Sequence, residues 1–330
     1  MIRVMFVGDL AIALNLLSVA VLAFAISVAC ISNALRLTLP RFEHLTFRLR
    51  KVILWALVTV PWWVAISCAA FFWPRQQELF STAWLNEFAH WHHVDIFSFS
   101  SWHAFTLLSA FGYLIWSMIS TIYVRKKQSS TMASLIGLSE IQPQVTITQQ
   151  RYYSLAQAIP AAFTTGLVSP KIYLTTGLQE KVTEQQLDII VRHEMAHVVA
   201  RDPLFKVIFA AFAGFYPKAA KRNLIGHFTL LTEQLADHAV TTEHDNLDVA
   251  QALINVARMQ RSVTLGCDGL QTSYFGNDQT SVRVQRLIQP RLTSSRLAIG
   301  LTLLFLAIVP LLTASTVDSL HHIIETFFTH

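Results

Sequence analysis

Apolar residues fall into four runs without a strand or amphipathic-helix period, each long enough to cross a bilayer, for which about 20 residues suffice. The first, Leu10 to Ile31, holds no ionisable side chain and one amide, Asn15. The second, Val52 to Phe72, is Trp-rich and contains Pro61. The third runs from His103 to Val124, and the fourth, Leu297 to Ala314, has no charge. Buried core helices seldom stay uncharged for so long. The pattern therefore predicts transmembrane helices over 10–31, 52–72, 103–124 and 297–314. The first run exceeds a usual signal-peptide core and only Arg3 precedes it, so a retained span is expected.

Between the third and fourth runs the pattern changes. Lys126 to Ser130 is polar and reads as a linker. Short strands are expected at Gln144–Thr148, which alternates apolar and polar, at Ala161–Phe163, and at Lys171–Leu174, bounded by Pro170 and Gly177. The pattern then turns helical. Thr183 and Gln186 have the spacing of a capping box, opening a helix that runs to about Ala200. Asp202 and Pro203 read as N-cap and first position of an almost wholly apolar helix ending near Tyr216, too short to span. It either lies against the membrane surface beside the spans or is a buried core helix. Further helices are expected over Leu224–Thr242 and Leu247–Arg261; residues 262–282, rich in Gly, Ser and Thr, read as loop. The predicted fold is a mainly α membrane protein with an α+β domain inserted between spans three and four. Its parts are a membrane domain 1–124, an aqueous domain 125–296, and a fourth span with a short tail over 297–330.

Composition agrees. The chain is 53% hydrophobic and 14% charged, against about 25% charged in soluble domains. Basic residues orient the spans by the positive-inside rule. Arg36, Arg41, Arg48, Arg50 and Lys51 crowd the first loop, Arg125 to Lys127 follow span three, and Arg283, Arg286, Arg291 and Arg296 precede span four. The loop between spans two and three has only Arg75, and the tail has none. This places 125–296 inside and the C-terminus outside. The inside segment carries 18 Lys+Arg against 13 Asp+Glu, much of it where it suits anionic lipid headgroups. No interleaving of basic and aromatic residues marks a nucleic-acid surface. The three cysteines, Cys30, Cys68 and Cys267, form no disulfide or zinc pattern.

The chemistry lies in His193-Glu194-Met195-Ala196-His197. Histidines at i and i+4 share one helix face and can reach one zinc ion, with Glu194 beside them to take a proton from an activated water. A catalytic zinc site has three protein ligands and an open position, and zinc brings the pKa of a bound water towards neutrality. Glu233 is the candidate third ligand. Asp237, four residues on and on the same face, would hold the free ring N–H of one histidine. Without the histidine motif, Glu233 and Asp237 would read as a solvated carboxylate pair on a helix surface.

These motifs, with Thr165 to Leu174, Gly177-Leu178, Arg192 and Arg201-Asp202-Pro203-Leu204, resemble the BlaR/MecR-type integral membrane zinc metallopeptidases. HtpX-type membrane proteases share the zinc motif and the Glu-x-x-x-Asp pattern. The resemblance implies three spans, an inward zincin-like (gluzincin) protease domain, a fourth span, and a bacterial-type cytoplasmic membrane. It also implies one zinc per chain, a protein or peptide substrate, and regulated cleavage of a target such as a transcriptional repressor, with a separate sensor protein as a further partner. The alternative functions are HtpX-like quality control and a silent membrane receptor with a structural metal. No Ser-x-x-Lys motif follows span four, so direct β-lactam sensing is not expected. The strand Lys171–Leu174 would be the edge to which a substrate peptide adds.

Three further residues are candidate oxyanion stabilisers: His227, His238 and Tyr274. The outer loop has His90, His92 and His93, near Glu87, Asp95 and His103. These read either as a metal or pH site or as an interfacial segment anchored by Trp84, Trp91 and Trp102.

Overall fold

A computed structural model describes residues 5–38, 45–73, 96–99, 101–137, 141–146, 149–264 and 275–289, together with Gly300, Leu304, Ile308, Thr313 and Thr316. Three of its helices are long and apolar enough to cross a membrane. They are α1 (Asp9–Thr38), α2 (Phe47–Phe71) and the first half of α3 (Trp102–Gly137). The residues expected to form a linker, Lys126 to Ser130, continue α3 instead. Nothing between Val124 and Gly137 breaks a helix, and the helix stops at the first glycine it meets there. Of the fourth expected span, the four described residues, Gly300, Leu304, Ile308 and Thr313, are helical, and the rest lies outside the described residues. Thr313 is buried, with its Oγ1 3.2 Å from Ser27 Oγ of α1.

The packing gives the membrane helices two distinct ends. At one, strands β1 (Met5–Val7) and β2 (Ile96–Ser98) pair antiparallel. There Leu16, Val19 and Ala23 of α1 meet Val64 and Cys68 of α2. At the other end, Val28, Ile31 and Leu35 of α1 and Ile53, Leu54, Leu57 and Val58 of α2 join Phe209, Leu224, Phe228 and Leu231. The last four belong to α6 (Asp202–Ala213) and α7 (Lys218–Val240), helices that follow α3 in the chain. The apolar α6 thus packs against the spans on one side, with Phe209 fully buried, and leaves Phe205 partly exposed. Its run of apolar residues is explained by having two apolar neighbours, α2 and α7. Tyr216 tightens the junction by donating to the Leu57 carbonyl.

The four-stranded sheet has the order β3-β4-β6-β5. Its strands are β3 (Ile141–Val145), β4 (Arg151–Leu155), β5 (Ala162–Thr165) and β6 (Lys171–Thr175). β4 and β6 are parallel and the other pairs antiparallel. Lys171–Leu174 is therefore an interior strand, not the substrate edge expected from sequence. The edge is β5, which the turn at Gly166 folds back onto β6. Gly166 has φ 113°, and a Cβ there would lie 2.7 Å from the Ser169 carbonyl. Pro143 fits β3 because that strand lies at the opposite edge, where a missing N–H costs no ladder bond. After the short α4 (Thr176–Gln179) comes α5 (Glu184–Ala200). The capping box forms, with Thr183 accepting from the Gln186 N–H and the Gln186 side chain accepting from the Thr183 N–H. Ile190 and Val191 of α5 pack on Tyr152, Ile172 and Leu174 of the sheet.

Two further helices follow among the described residues, α8 (Asn246–Thr264) and α9 (Phe275–Ile288). Part of α9 occupies the stretch expected to be loop. Its start is polar and Gly-containing, but Val284 and Leu287 pack against Val240, Val249 and Leu253, so tertiary burial overrides local preference.

Candidate metal centre

The site is built from one face of α5 and one face of α7. His193 Nε2 and His197 Nε2 are 3.2 Å apart. Glu233 Oε2 lies 3.3 Å from His193 Nε2, and Glu233 Oε1 lies 3.6 Å from His197 Nε2. Tetrahedral zinc with ligands at about 2.0–2.1 Å sets ligand atoms roughly 3.3 Å apart, so these three side chains could hold such an ion.

The other ring nitrogens show why they point inward. His193 Nδ1 is 3.0 Å from Asp237 Oδ1, and His197 Nδ1 is 2.6 Å from Asp202 Oδ2. Each Nδ1–H donates to its carboxylate, which turns both Nε2 lone pairs towards each other. Two lone pairs at 3.2 Å would repel, so the pair favours a cation between them, either a metal ion or a proton on Nε2 shared with Glu233. With both imidazoles neutral, as metal ligands must be, four carboxylates, Glu194, Asp202, Glu233 and Asp237, face two cations, Lys206 and Arg283, an excess of two negative charges that a divalent ion would balance.

Arg283 of α9 completes the arrangement. Its Nε and Nη2 donate to both oxygens of Asp237 at 2.8 and 2.7 Å, and its Nη1 lies 3.3 Å from Glu233 Oε2. Lys206 Nζ of α6 lies 3.1 Å from Glu233 Oε1. Burial alone would raise the Glu233 carboxyl, but hydrogen bonds from His193 and His197 and the charges of Arg283 and Lys206 hold it well below its ordinary range. Burial is likewise outweighed at Asp237, which Arg283 and His193 hold low. Burial would lower His193, but Asp237 and Glu233 push it up to about 9. His197 is also raised, by Asp202 and Glu233 acting against burial.

Glu194 lies beside the metal-facing side of α5, towards the edge strand. Thr164 Oγ1 of β5 is 2.7 Å from Glu194 Oε2 and 3.1 Å from the Glu194 carbonyl. On its far side α5 is pinned by Asp188, which accepts from Arg192 Nε at 2.7 Å and lies 3.0 Å from His244 Nε2. The helix bearing Glu233 is tied to a span, since Arg50 of α2 is fully buried and donates to Gln234 Oε1 at 2.6 Å.

The structure thus brings together His193, Glu194, His197, Glu233 and Asp237. His238 is exposed and lies against Phe47, away from the ligand atoms. His227 is six positions ahead of Glu233, about 9 Å along the helix axis. Tyr274 and the outer-loop residues His90, His92, His93, Glu87 and Asp95 lie outside the described residues; His103 Nδ1 is 2.5 Å from Ser18 Oγ. Sequence reading placed Asp202 as a helix cap. In the structure α6 begins at Asp202, after Arg201 in the left-handed region at φ 53°, and the carboxylate turns back to His197. Thr164, Lys206 and Arg283 were not singled out. A carboxylate five residues beyond the second histidine was the one local signal available for Asp202.

Residues 143–258 match the model of Peptidase family M48. The chain is 33% identical over 79 residues to the Protease HtpX of Legionella pneumophila strains Corby and Lens, covering 23% of this chain and 28% of each relative. The chain therefore spans less than a third of the length of these curated relatives. No solved structure matches the chain.

Proposed function

We propose that the chain is an integral membrane zinc endopeptidase. His193, His197 and Glu233 hold the metal, Asp237 and Asp202 orient the two imidazoles, and Glu194 is the general base. One observation carries this reading: three ligand atoms converge while both ring Nδ1 atoms are engaged by carboxylates. The match to Peptidase family M48 over the same residues supports it.

A bound zinc ion would supply Lewis-acid polarisation of the scissile carbonyl and acidify a water. The chain's own residues do the rest. Glu194, with Oε2 on the Thr164 hydroxyl, takes the proton of the attacking water on Oε1 and passes it to the leaving amine. Strand β5 has one hydrogen-bonded neighbour, β6, among the described residues. Its free edge suits addition of an extended peptide beside Glu194, in place of the interior strand β6.

The packing of α6 and α7 on the 28–35 end of α1 supports a peptidase domain on the same side as the basic first loop. By the positive-inside rule that side is cytoplasmic. The fourth span and an outer C-terminus belong to the same topology. The substrate is a cytosolic or membrane-associated protein, and cleavage is triggered by a signal, as for a repressor. The buried Arg50–Gln234 bond supports this, because it ties span α2 to the residue beside Glu233. The similarity to HtpX proteases supports the second reading, quality control of membrane proteins.

The test uses the full chain purified in detergent with β-casein as substrate. Chelation should stop cleavage and zinc should restore it. Glu194→Gln should keep zinc and lower cleavage by about 10²–10⁴-fold. Cleavage by Glu194→Gln at the parental rate would contradict the mechanism.

A further inference from the structure

We propose that Thr164 is a positioning residue for the general base, coupling the edge strand that would receive the peptide to the carboxylate that would activate water. The inference rests on the peptidase reading above and adds to it a residue of the sheet. Side chains on β5 alternate: Ala162 packs with the sheet–helix core, while Phe163 stacks on Tyr173 of the opposite face. Thr164 shares the inner face with Ala162, which directs its hydroxyl at α5. It finds two oxygens of one residue, Glu194 Oε2 at 2.7 Å and the Glu194 carbonyl at 3.1 Å.

The hydroxyl has one hydrogen and can satisfy one acceptor fully. The carboxylate is nearer, and a bond to a charged acceptor is the stronger. Thr164 therefore donates to Oε2. That bond fixes the end of a side chain with three rotatable bonds and leaves Oε1 as the proton acceptor. Because Thr164 belongs to the edge strand, any peptide pairing with β5 is registered against the same residue that sets the carboxylate. A one-residue slip of the strand would turn Thr164 away and bring Phe163 or Thr165 inward, so strand register and base orientation are locked together. Valine has the shape of threonine without the donor; serine keeps the donor.

The test compares Thr164→Val, Thr164→Ser and Thr164→Ala in the full chain, using a quenched-fluorescence peptide taken from a casein site that the parent cleaves. Thr164→Val should lose about 10–100-fold in kcat, the worth of a hydrogen bond to a charged group. KM should stay within about twofold, and zinc content should be parental. Thr164→Ser should restore most of kcat. If Thr164→Val does not fold, the same contrast is read between Thr164→Ala and Thr164→Ser. Parental kcat in the variants lacking the hydroxyl would overturn the role. So would a serine variant as damaged as the valine variant, or a loss that appears as zinc depletion or in KM. A parent chain without zinc-dependent cleavage would end the peptidase reading and this inference together. A parent that cleaves, with Thr164→Val equal to it, would end this inference alone.

Discussion

The two histidines of α5 present the same atom to the same point, yet they are held in different ways. His197 is oriented by Asp202, five residues further along the chain, across a single helix junction. His193 is oriented by Asp237 on another helix, and Asp237 is gripped in turn by both forks of Arg283 on a third. One support is local and forms as soon as α5 and α6 form. The other exists only when α5, α7 and α9 have assembled. The histidine with the long-range support shares its carboxylate network with Glu233, since Arg283 also reaches Glu233 Oε2. On the His193 side the candidate metal centre is therefore complete only when α5, α7 and α9 are packed together.

This contrast orders the expected effects. Asp237→Ala should do the most damage. It releases His193 Nδ1 and leaves the buried Arg283 guanidinium only its longer contact to Glu233, and breaking a buried ion pair in this way costs about 3–5 kcal/mol. Denaturant melts of the full chain in detergent should show that loss, along with a fall in zinc affinity beyond the roughly 10–100-fold typical of outer partners. Asp202→Asn should be milder. It removes one charge next to a histidine that keeps its neighbours, so zinc affinity should fall by about tenfold with little change in melting. Equal stability losses in the two variants would remove the distinction.

A pH series separates the two sides further. In the zinc-stripped protein His193 is pushed up to about 9 from an ordinary 6.5. A raised folded-state value means that proton binding stabilises the fold. The contribution is complete below about 6.5 and disappears as pH rises through about 9. Zinc and this proton compete for Nε2, so apparent zinc affinity should climb by about tenfold per pH unit through that window. In Asp237→Asn the climb should level off at lower pH, because a main partner of the imidazolium is gone. A parental profile in that variant would show that Asp237 does not govern His193.

The same division between local and long-range explains what was legible in the sequence. Thr183 with Gln186 opened α5 as expected, because a capping box is complete within four residues. The apolar runs marked α1, α2 and the start of α3 because length and hydropathy are local quantities. His193 with His197, and Glu233 with Asp237, were readable as pairs one helical turn apart. Asp202 was misread, since the same residue type at the same place caps a helix or braces a histidine. Arg283 was read only as a charge near a span; its partner is 46 positions away. The order of the sheet was not legible either. Nothing in Lys171–Leu174 or Ala162–Thr165 says which strand lies inside, so the edge was assigned to the wrong one and Thr164 was passed over.

The central claim is that His193, His197 and Glu233 form one metal site. Zinc content per chain, measured by mass spectrometry on purified full-length protein, tests it most directly. The parent should carry about one zinc per chain, as should Glu194→Gln, while His193→Ala, His197→Ala and Glu233→Ala should each lose most of it. Parental zinc in Glu233→Ala, or in either histidine variant, would contradict the account.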